Sequence, residues 1–232
     1  MKTGIGAFAP CERLGAVLFP REPYQDWPER ESHPFQLRLL TELAHTRRKW
    51  NLRYAEKIAE APRPEPHPFA LEWGSRFIGG RVLDAACGLG RGIATAGERF
   101  REVYAVDLSD VAVREARALW QGDSRIRWIV ADVTQLPWPR GFFGLVCAFG
   151  FTDLPFFSRL GDLLAPGGMV LYQGFSARQR EIKPGLAPEW TATPEVLHGL
   201  FAGWEILACR ETDEPPFRIS LAAVNPAEGN RA

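Results

Sequence analysis

The chain is short of several features whose presence would have fixed its class. Its four cysteines, Cys11, Cys87, Cys147 and Cys209, stand far apart with no C-x-x-C pair, and no histidines fall at ligand spacing. Neither a disulfide framework nor a metal site is therefore expected. No apolar run approaches the roughly 20 residues that cross a bilayer, and no basic, apolar leader opens the sequence. A cytoplasmic location without a membrane partner is the expectation. Net charge is missing too, because 28 basic and 28 acidic side chains cancel to +0. Such a balance gives no global attraction to nucleic acid or anionic lipid, though it leaves room for a local basic patch.

What is present fits one α/β domain with an N-terminal elaboration, at 232 residues. Pro10, Pro20, Pro23 and Pro28 among Phe19, Tyr24 and Trp27 argue against regular structure in the first 30 or so positions, which read as an arm. Apolar residues then recur at helical spacing from Phe35 through Leu39, Leu40, Leu43, Trp50 and Tyr54 to Ile58, predicting one or two amphipathic helices ended by Pro62, Pro64, Pro66 and Pro68. Residues 1–68 are read as arm and helices, a lid or substrate-side elaboration, and 69–232 as the main domain.

Past a short helix over Ala70 to Phe77, strand and helix patterns alternate. Strands are expected at Arg81–Ala85, Val103–Val106, Ile126–Ala131, Gly144–Phe149 and Gly168–Gly174, with helices such as Val111–Trp120 and Phe156–Leu164 between them. Repeated βαβ units predict a mostly parallel sheet. Leu145 to Phe149 has no polar alternation, as expected of a strand covered on both faces. Thr193-Pro194-Glu195 opens a further helix to Phe201. Two last strands, Glu205–Arg210 and Arg218–Val224, flank Pro215-Pro216 and predict an antiparallel hairpin at the end of the sheet.

Chemistry concentrates in RVLDAACGLGRG, residues 81–92. Val82 and Leu83 deliver Asp84 to the carboxyl edge of the sheet, and Gly88 and Gly90 allow a tight turn beneath a ligand. Asp107 and Asp132 end the next two strands, after spacings of 23 and 25 residues, about one βα unit each. Right-handed crossovers bring such ends to one crevice. There Asp107 can accept from both hydroxyls of a ribose that lacks a 2′-phosphate, and Asp132 from an adenine amino group, with Leu108 and Val133 on either side of the base. For any single acid, a helix cap or surface turn is the plainer alternative. A pyrophosphate fingerprint would be G-x-G-x-x-G directly after the strand. Here an acid comes first, which would repel a pyrophosphate but attract a cationic amino-acid moiety such as the methionyl ammonium of S-adenosylmethionine.

These residues resemble the class I S-adenosylmethionine-dependent methyltransferases. The likeness runs through VLDAACGLGRG, VYAVDLS, IRWIVADVTQLPWP and LLAPGGMVLYQGF, and covers roughly residues 69 to 224. RKWNLRYAEK also resembles a W-x-x-R-Y element of the tellurite-resistance and thiopurine-type small-molecule methyltransferases. The resemblance implies a Rossmann-like α/β fold with a seven-stranded, mostly parallel sheet, S-adenosyl-L-methionine as cofactor and S-adenosyl-L-homocysteine as product. Cofactor contacts are expected from Asp84, Ala85, Ala86, Cys87, Gly88, Gly90, Asp107, Leu108, Ser109, Asp132, Val133 and Phe149. Arg53 and Tyr54 would meet the methionyl end with Trp50 as a wall, or Trp50 and Tyr54 simply pack their helix on the sheet. Two departures stand out: Ala86 replaces the usual first loop glycine, and Gly144 stands where many members carry an acid.

The expected reaction is in-line transfer of a methyl group to a small-molecule acceptor, with no catalytic base identified. Phe149 and Gly150 would border the acceptor. Arg178 and Arg180 are candidates to hold an anionic group, although solvated loop arginines are the preferred reading. Cys147 reads as core. The end of the fourth strand, AFGFTD, lacks the Asn/Asp-Pro-Pro-aromatic run of amino-directed nucleic-acid methyltransferases, so nucleic acid is not the expected substrate. An RNA or protein methyltransferase, or a cofactor-binding module without turnover, are the alternatives. A monomer or homodimer is expected.

Overall fold

A computed structural model describes residues 34–57 and 62–226, with side chains placed from Glu42 onward. The expected N-terminal arm and Ile58 lie outside the described residues. The elements in chain order are α1 (Pro34–Lys57), α2 (Pro68–Leu71), a 3-10 turn (Gly74–Arg76), β1 (Gly80–Ala85), α3 (Arg91–Ala96), β2 (Phe100–Asp107), α4 (Asp110–Leu119), β3 (Ile126–Val130) and β4 (Phe143–Phe149). There follow α5 (Leu154–Phe157), α6 (Leu160–Leu163), β5 (Leu164–Ser176), α7 (Gln179–Ile182), β6 (Thr191–Ala192), α8 (Pro194–Leu200), β7 (Glu205–Glu211) and β8 (Arg218–Val224).

The sheet runs β3-β2-β1-β4-β5-β8-β7, the seven expected strands, while the two-residue β6 pairs with the end of β5 off this path. β3, β2, β1, β4 and β5 are mutually parallel, and β8 is antiparallel to both β5 and β7. Strand order reverses between β1 and β4. In an open α/β sheet, the crevice for a ligand lies outside the carboxyl ends of the strands at such a point.

Both faces of the centre are covered. Leu145 and Cys147 of β4 pack on the side of α2 and α3, and Val146 and Ala148 on the side of α5, α6 and α8, all at 0% exposure. That double covering explains why β4 shows no polar alternation. Burial raises the Cys147 thiol well above its ordinary value, so this cysteine is core and not a nucleophile.

Where structure and sequence pattern differ, local hydrogen bonds decide. The single helix expected over Phe156–Leu164 is two short ones. Asp153 Oδ1 accepts from Phe156 N–H at 2.7 Å and starts α5 early, Ser158 Oγ donates to the Pro155 carbonyl at 2.8 Å, and Arg159 leaves to donate to the Thr134 carbonyl at 2.8 Å. The segment expected as a helix over Ala70–Phe77 begins at Pro68 and tightens into a 3-10 turn. Gly144 has a steric reason. A Cβ at this position would stand 2.0 Å from the Gly79 carbonyl oxygen, so β4 can carry no side chain, acidic or otherwise, there.

Candidate functional site

Each of the three sequence-predicted acids reaches the carboxyl edge, and each caps backbone there. Asp84 is 2% exposed, and its Oδ2 accepts from Ile93 N–H at 3.1 Å, with Gly92 N–H as a second donor. It therefore ties β1 to the first turn of α3. Burial raises this carboxyl well above the ordinary range. Gly92 is what lets it fit, because a Cβ there would lie 2.3 Å from the Asp84 carboxyl carbon.

Asp107 ends β2 at the centre of the cradle. Its Oδ2 accepts from Gly88 N–H at 2.9 Å and its Oδ1 from Ser109 N–H at 2.8 Å, while its own carbonyl accepts from Ala131 N–H at 3.0 Å. One residue thus joins the glycine turn to the end of β3. Burial raises its carboxyl too, against the lowering effect of these amides. Asp132 Oδ1 accepts from both the amide and the hydroxyl of Thr134, at 2.9 and 2.8 Å. Capping and ligand binding are compatible, since a carboxylate has about four lone-pair sites and the amides of Gly88, Leu108 and Ser109 take three of those of Asp107.

The turn between β1 and α3 has the shape the glycines suggest. Gly88 and Gly90 have φ of +53° and +93°, and Ala86, in the place of the usual first glycine, is also left-handed at +53°. An alanine in that region is strained by roughly 1–2 kcal/mol. Cys87 is buried, donates its amide to the Val106 carbonyl at 2.9 Å, and has its thiol pushed well up by burial. Ala85 is a fully buried strand residue. Leu108 is half-buried, and Val133 is buried in the apolar cluster on the α5 side.

α1 lies over this turn. Tyr54 places its hydroxyl above Gly88, 2.6 Å from where a Cβ would be. Burial, and then the negative Asp107, push its phenol up beyond the usual tyrosine range. Trp50 packs beside it, ring centroids 6.2 Å apart, and exposed Arg53 lies 5.1 Å over the Trp50 ring. The helix is fastened by a residue that the sequence reading passed over. Asn51 accepts from Ser109 Oγ at 2.7 Å and donates to Asp110 at 2.9 Å, and Arg47 pairs with Asp110 at 3.3 Å. On the β5 side, Lys49 Nζ sits 4.3 Å over the Trp190 ring.

At the end of β4, Phe149 stacks on His67, centroids 4.5 Å apart and planes 10° apart. Gly150 is exposed and donates its amide to the Gln173 carbonyl at 2.7 Å. Gln173 donates to Ser220 Oγ at 2.9 Å, which turns its Oε1 toward His67 Nε2 at 3.0 Å. His67 is therefore an Nε2–H donor, and its buried Nδ1 has no partner among the described residues. Burial lowers its pKa, which favours the neutral ring. Sequence reading saw only prolines around His67; its neighbours come from β4 and β5, more than 80 residues away. Arg178 and Arg180 do not join this group. Arg178 lies 4.1 Å over Phe217 and contacts the Thr212 carbonyl, and Arg180 is exposed on α7.

The cradle fits the nucleoside that the sequence suggested. A ribose needs a hydroxyl acceptor, and Asp107 supplies a buried carboxylate with no cationic partner among the described residues and acceptor capacity beyond its amides. Among the described residues no group of His, Cys, Asp and Glu could hold a metal ion, and no helix is long and apolar enough to cross a membrane.

Comparison with known proteins agrees with this geometry. Residues 82–168, from β1 to the middle of β5, match a family described as a methyltransferase domain. A curated demethylmenaquinone methyltransferase from Clavibacter sepedonicus is 31% identical over 103 residues, 42% of each chain. The match thus spans about two-fifths of that relative's length. Among solved structures, a geranyl diphosphate methyltransferase in complex with its diphosphate and sinefungin superposes with a TM-score of 0.56 at 14% identity, covering 79% of this chain and 99% of the other. TehB from Haemophilus influenzae gives 0.55 at 13% identity, covering 68% and 62%. At these identities the likeness is one of fold, the Rossmann-like methyltransferase fold.

Proposed function

We propose that the chain is an S-adenosylmethionine-dependent methyltransferase whose acceptor is a small molecule. The observation that carries the reading is Asp107: a buried carboxylate at the carboxyl end of β2, one strand from the switch point, whose Oδ2 takes the Gly88 amide of a left-handed glycine turn. When bound, the cofactor supplies a sulfonium methyl group open to in-line displacement. The residues do the positioning. Asp107 would hold the ribose hydroxyls, Asp132 and the Val133 amide the base, and the turn from Ala85 to Gly90 the methionyl end, with Trp50, Arg53 and Tyr54 above it. Alignment of donor and nucleophile can contribute about 7–11 kcal/mol to such a transfer.

A small acceptor is supported by α1, whose contacts run from Asp110 beyond β2 to Trp190 beyond β5 and roof the edge. The W-x-x-R-Y likeness to the tellurite-resistance and thiopurine-type enzymes lies on this roof. A cytoplasmic location belongs to the same proposal. Calorimetry with S-adenosylhomocysteine tests it: Asp107→Ala should weaken binding at least about tenfold, the loss of roughly 1.4 kcal/mol of charge-assisted hydrogen bonding. Unchanged affinity would remove the ribose assignment.

A further inference from the structure

One cation at the carboxyl edge is unanswered. β8 is antiparallel to β5, so its first residue, Arg218, stands at the carboxyl end of β5, opposite Phe175. Its guanidinium lies 4.1 Å over the Phe175 ring. The side chain is half-buried, yet among the described residues no carboxylate pairs with it and no acceptor takes its five N–H donors. Seven arginines elsewhere, Arg76, Arg81, Arg114, Arg125, Arg127, Arg140 and Arg210, each hold a carboxylate.

Register places Arg218 beside the methyl-transfer end of the site. Phe149, Gln173 and Ser220 form one row across β4, β5 and β8, and Phe175 and Arg218 form the next row on the same face, about 7 Å further out. His67 crosses the first row, stacked on Phe149 and held by Gln173. Arg218 and Arg91 both act on His67 in the direction of the neutral ring. Glu211, paired across the hairpin with Ile219, accepts from the Ser176 hydroxyl. Burial lowers Arg218 as well, the response of a cation short of water, with the Tyr172 phenol acting in the opposite direction.

We propose that the methyl acceptor carries an anionic group, a carboxylate or a phosphate, on an apolar body, and that Arg218 receives that group beside the Phe175 ring. The inference rests on the methyltransferase reading and names the acceptor class for the same site. A planar, weakly hydrated guanidinium suits bidentate capture of either oxyanion, and the Phe149 and Phe175 rings suit the apolar body.

The test uses the full chain saturated with S-adenosylhomocysteine and titrates benzoate, phenyl phosphate and neutral benzamide by NMR. Benzoate or phenyl phosphate should bind more tightly than benzamide, and Arg218→Met should weaken the anion at least about tenfold while leaving benzamide and S-adenosylhomocysteine unmoved. Arg218→Lys should recover part of the loss. The tighter of the two anions identifies the group. Equal binding of anion and amide, no anion binding to the wild type, or an anion affinity unchanged in Arg218→Met would each overturn the proposal while S-adenosylhomocysteine still binds. Failure of S-adenosylhomocysteine itself to bind would overturn the donor reading instead, and this proposal with it.

Discussion

Gly92→Ala is a sharp test of how the cradle is built, because two effects of opposite sign meet at one atom. By helix propensity alone, alanine inside α3 should stabilise the chain by up to about 1 kcal/mol. The structure predicts the reverse. The new Cβ would sit 2.3 Å from Cγ and Oδ1 of Asp84 and 2.7 Å from Oδ2, against an ordinary separation of about 3.5 Å. Asp84 cannot turn away, being 2% exposed at the end of a central strand. Relief requires α3 to lift, which also carries the amides of Gly92 and Ile93 away from the carboxylate. Overpacking costs about 1–3 kcal/mol and a hydrogen bond to a charged group about 1.5–3 kcal/mol. With the propensity gain subtracted, the net loss is about 2–5 kcal/mol, or roughly 5–15 °C in melting temperature for a chain of this size. Urea unfolding of the single variants and of the Asp84→Ala/Gly92→Ala double variant measures it. The double variant should be more stable than the sum of its parts by at least about 1 kcal/mol, because removing the carboxylate makes room for the methyl group. A Gly92→Ala chain as stable as the wild type would refute the account of why glycine is there.

Gly144→Asp should fail to fold or lose several kcal/mol, since its Cβ would lie within 2.0 Å of the Gly79 carbonyl oxygen; soluble, cooperatively melting protein would contradict this. Asn51→Ala removes the two Asn51 bonds to Ser109 and Asp110 and leaves the Arg47 pair, a loss of about 1–3 kcal/mol, so hydrogen exchange along α1 should quicken while β1 and β4 stay protected. Burial raises Asp107 above its ordinary value of 3.8, so the folded chain without ligand binds this proton more tightly than the unfolded chain. That contribution is complete below the ordinary value and is lost as pH climbs through the raised one. The melting temperature of Asp107→Asn, followed from about pH 4 to 7, should vary less steeply than that of the wild type, and identical slopes would count against it.

The sheet and its acids were legible because they rest on local pattern. Apolar runs of strand length, each closed by Asp84, Asp107 or Asp132, carry their own register, and crossover handedness does the rest. What escaped depends on pairings distant in sequence. α1 docks through the stripe Arg47, Asn51 and Tyr54, spaced i, i+4, i+7, while Leu52 is 58% exposed; a search for apolar periodicity finds the helix and misses its contact face. His67 acquires meaning only from Phe149 and Gln173, and Arg218 only from the register of β8 on β5. Arg178 and Arg180 look equivalent to Arg218 in sequence and differ from it only in what surrounds them.

The fastening of α1 also sets a relation between binding and folding. Between Arg47 and Asn51 the helix meets the domain through a few polar bonds and a lysine over a tryptophan, contacts that water can replace at small cost. Any molecule held beneath it that also touches Tyr54 must, by linkage, tighten the helix by as much as the helix tightens the molecule. Departure of such a molecule is then coupled to a local opening rather than to the chemistry, and the lifetime of the complex becomes a property of Asn51 as much as of Asp107.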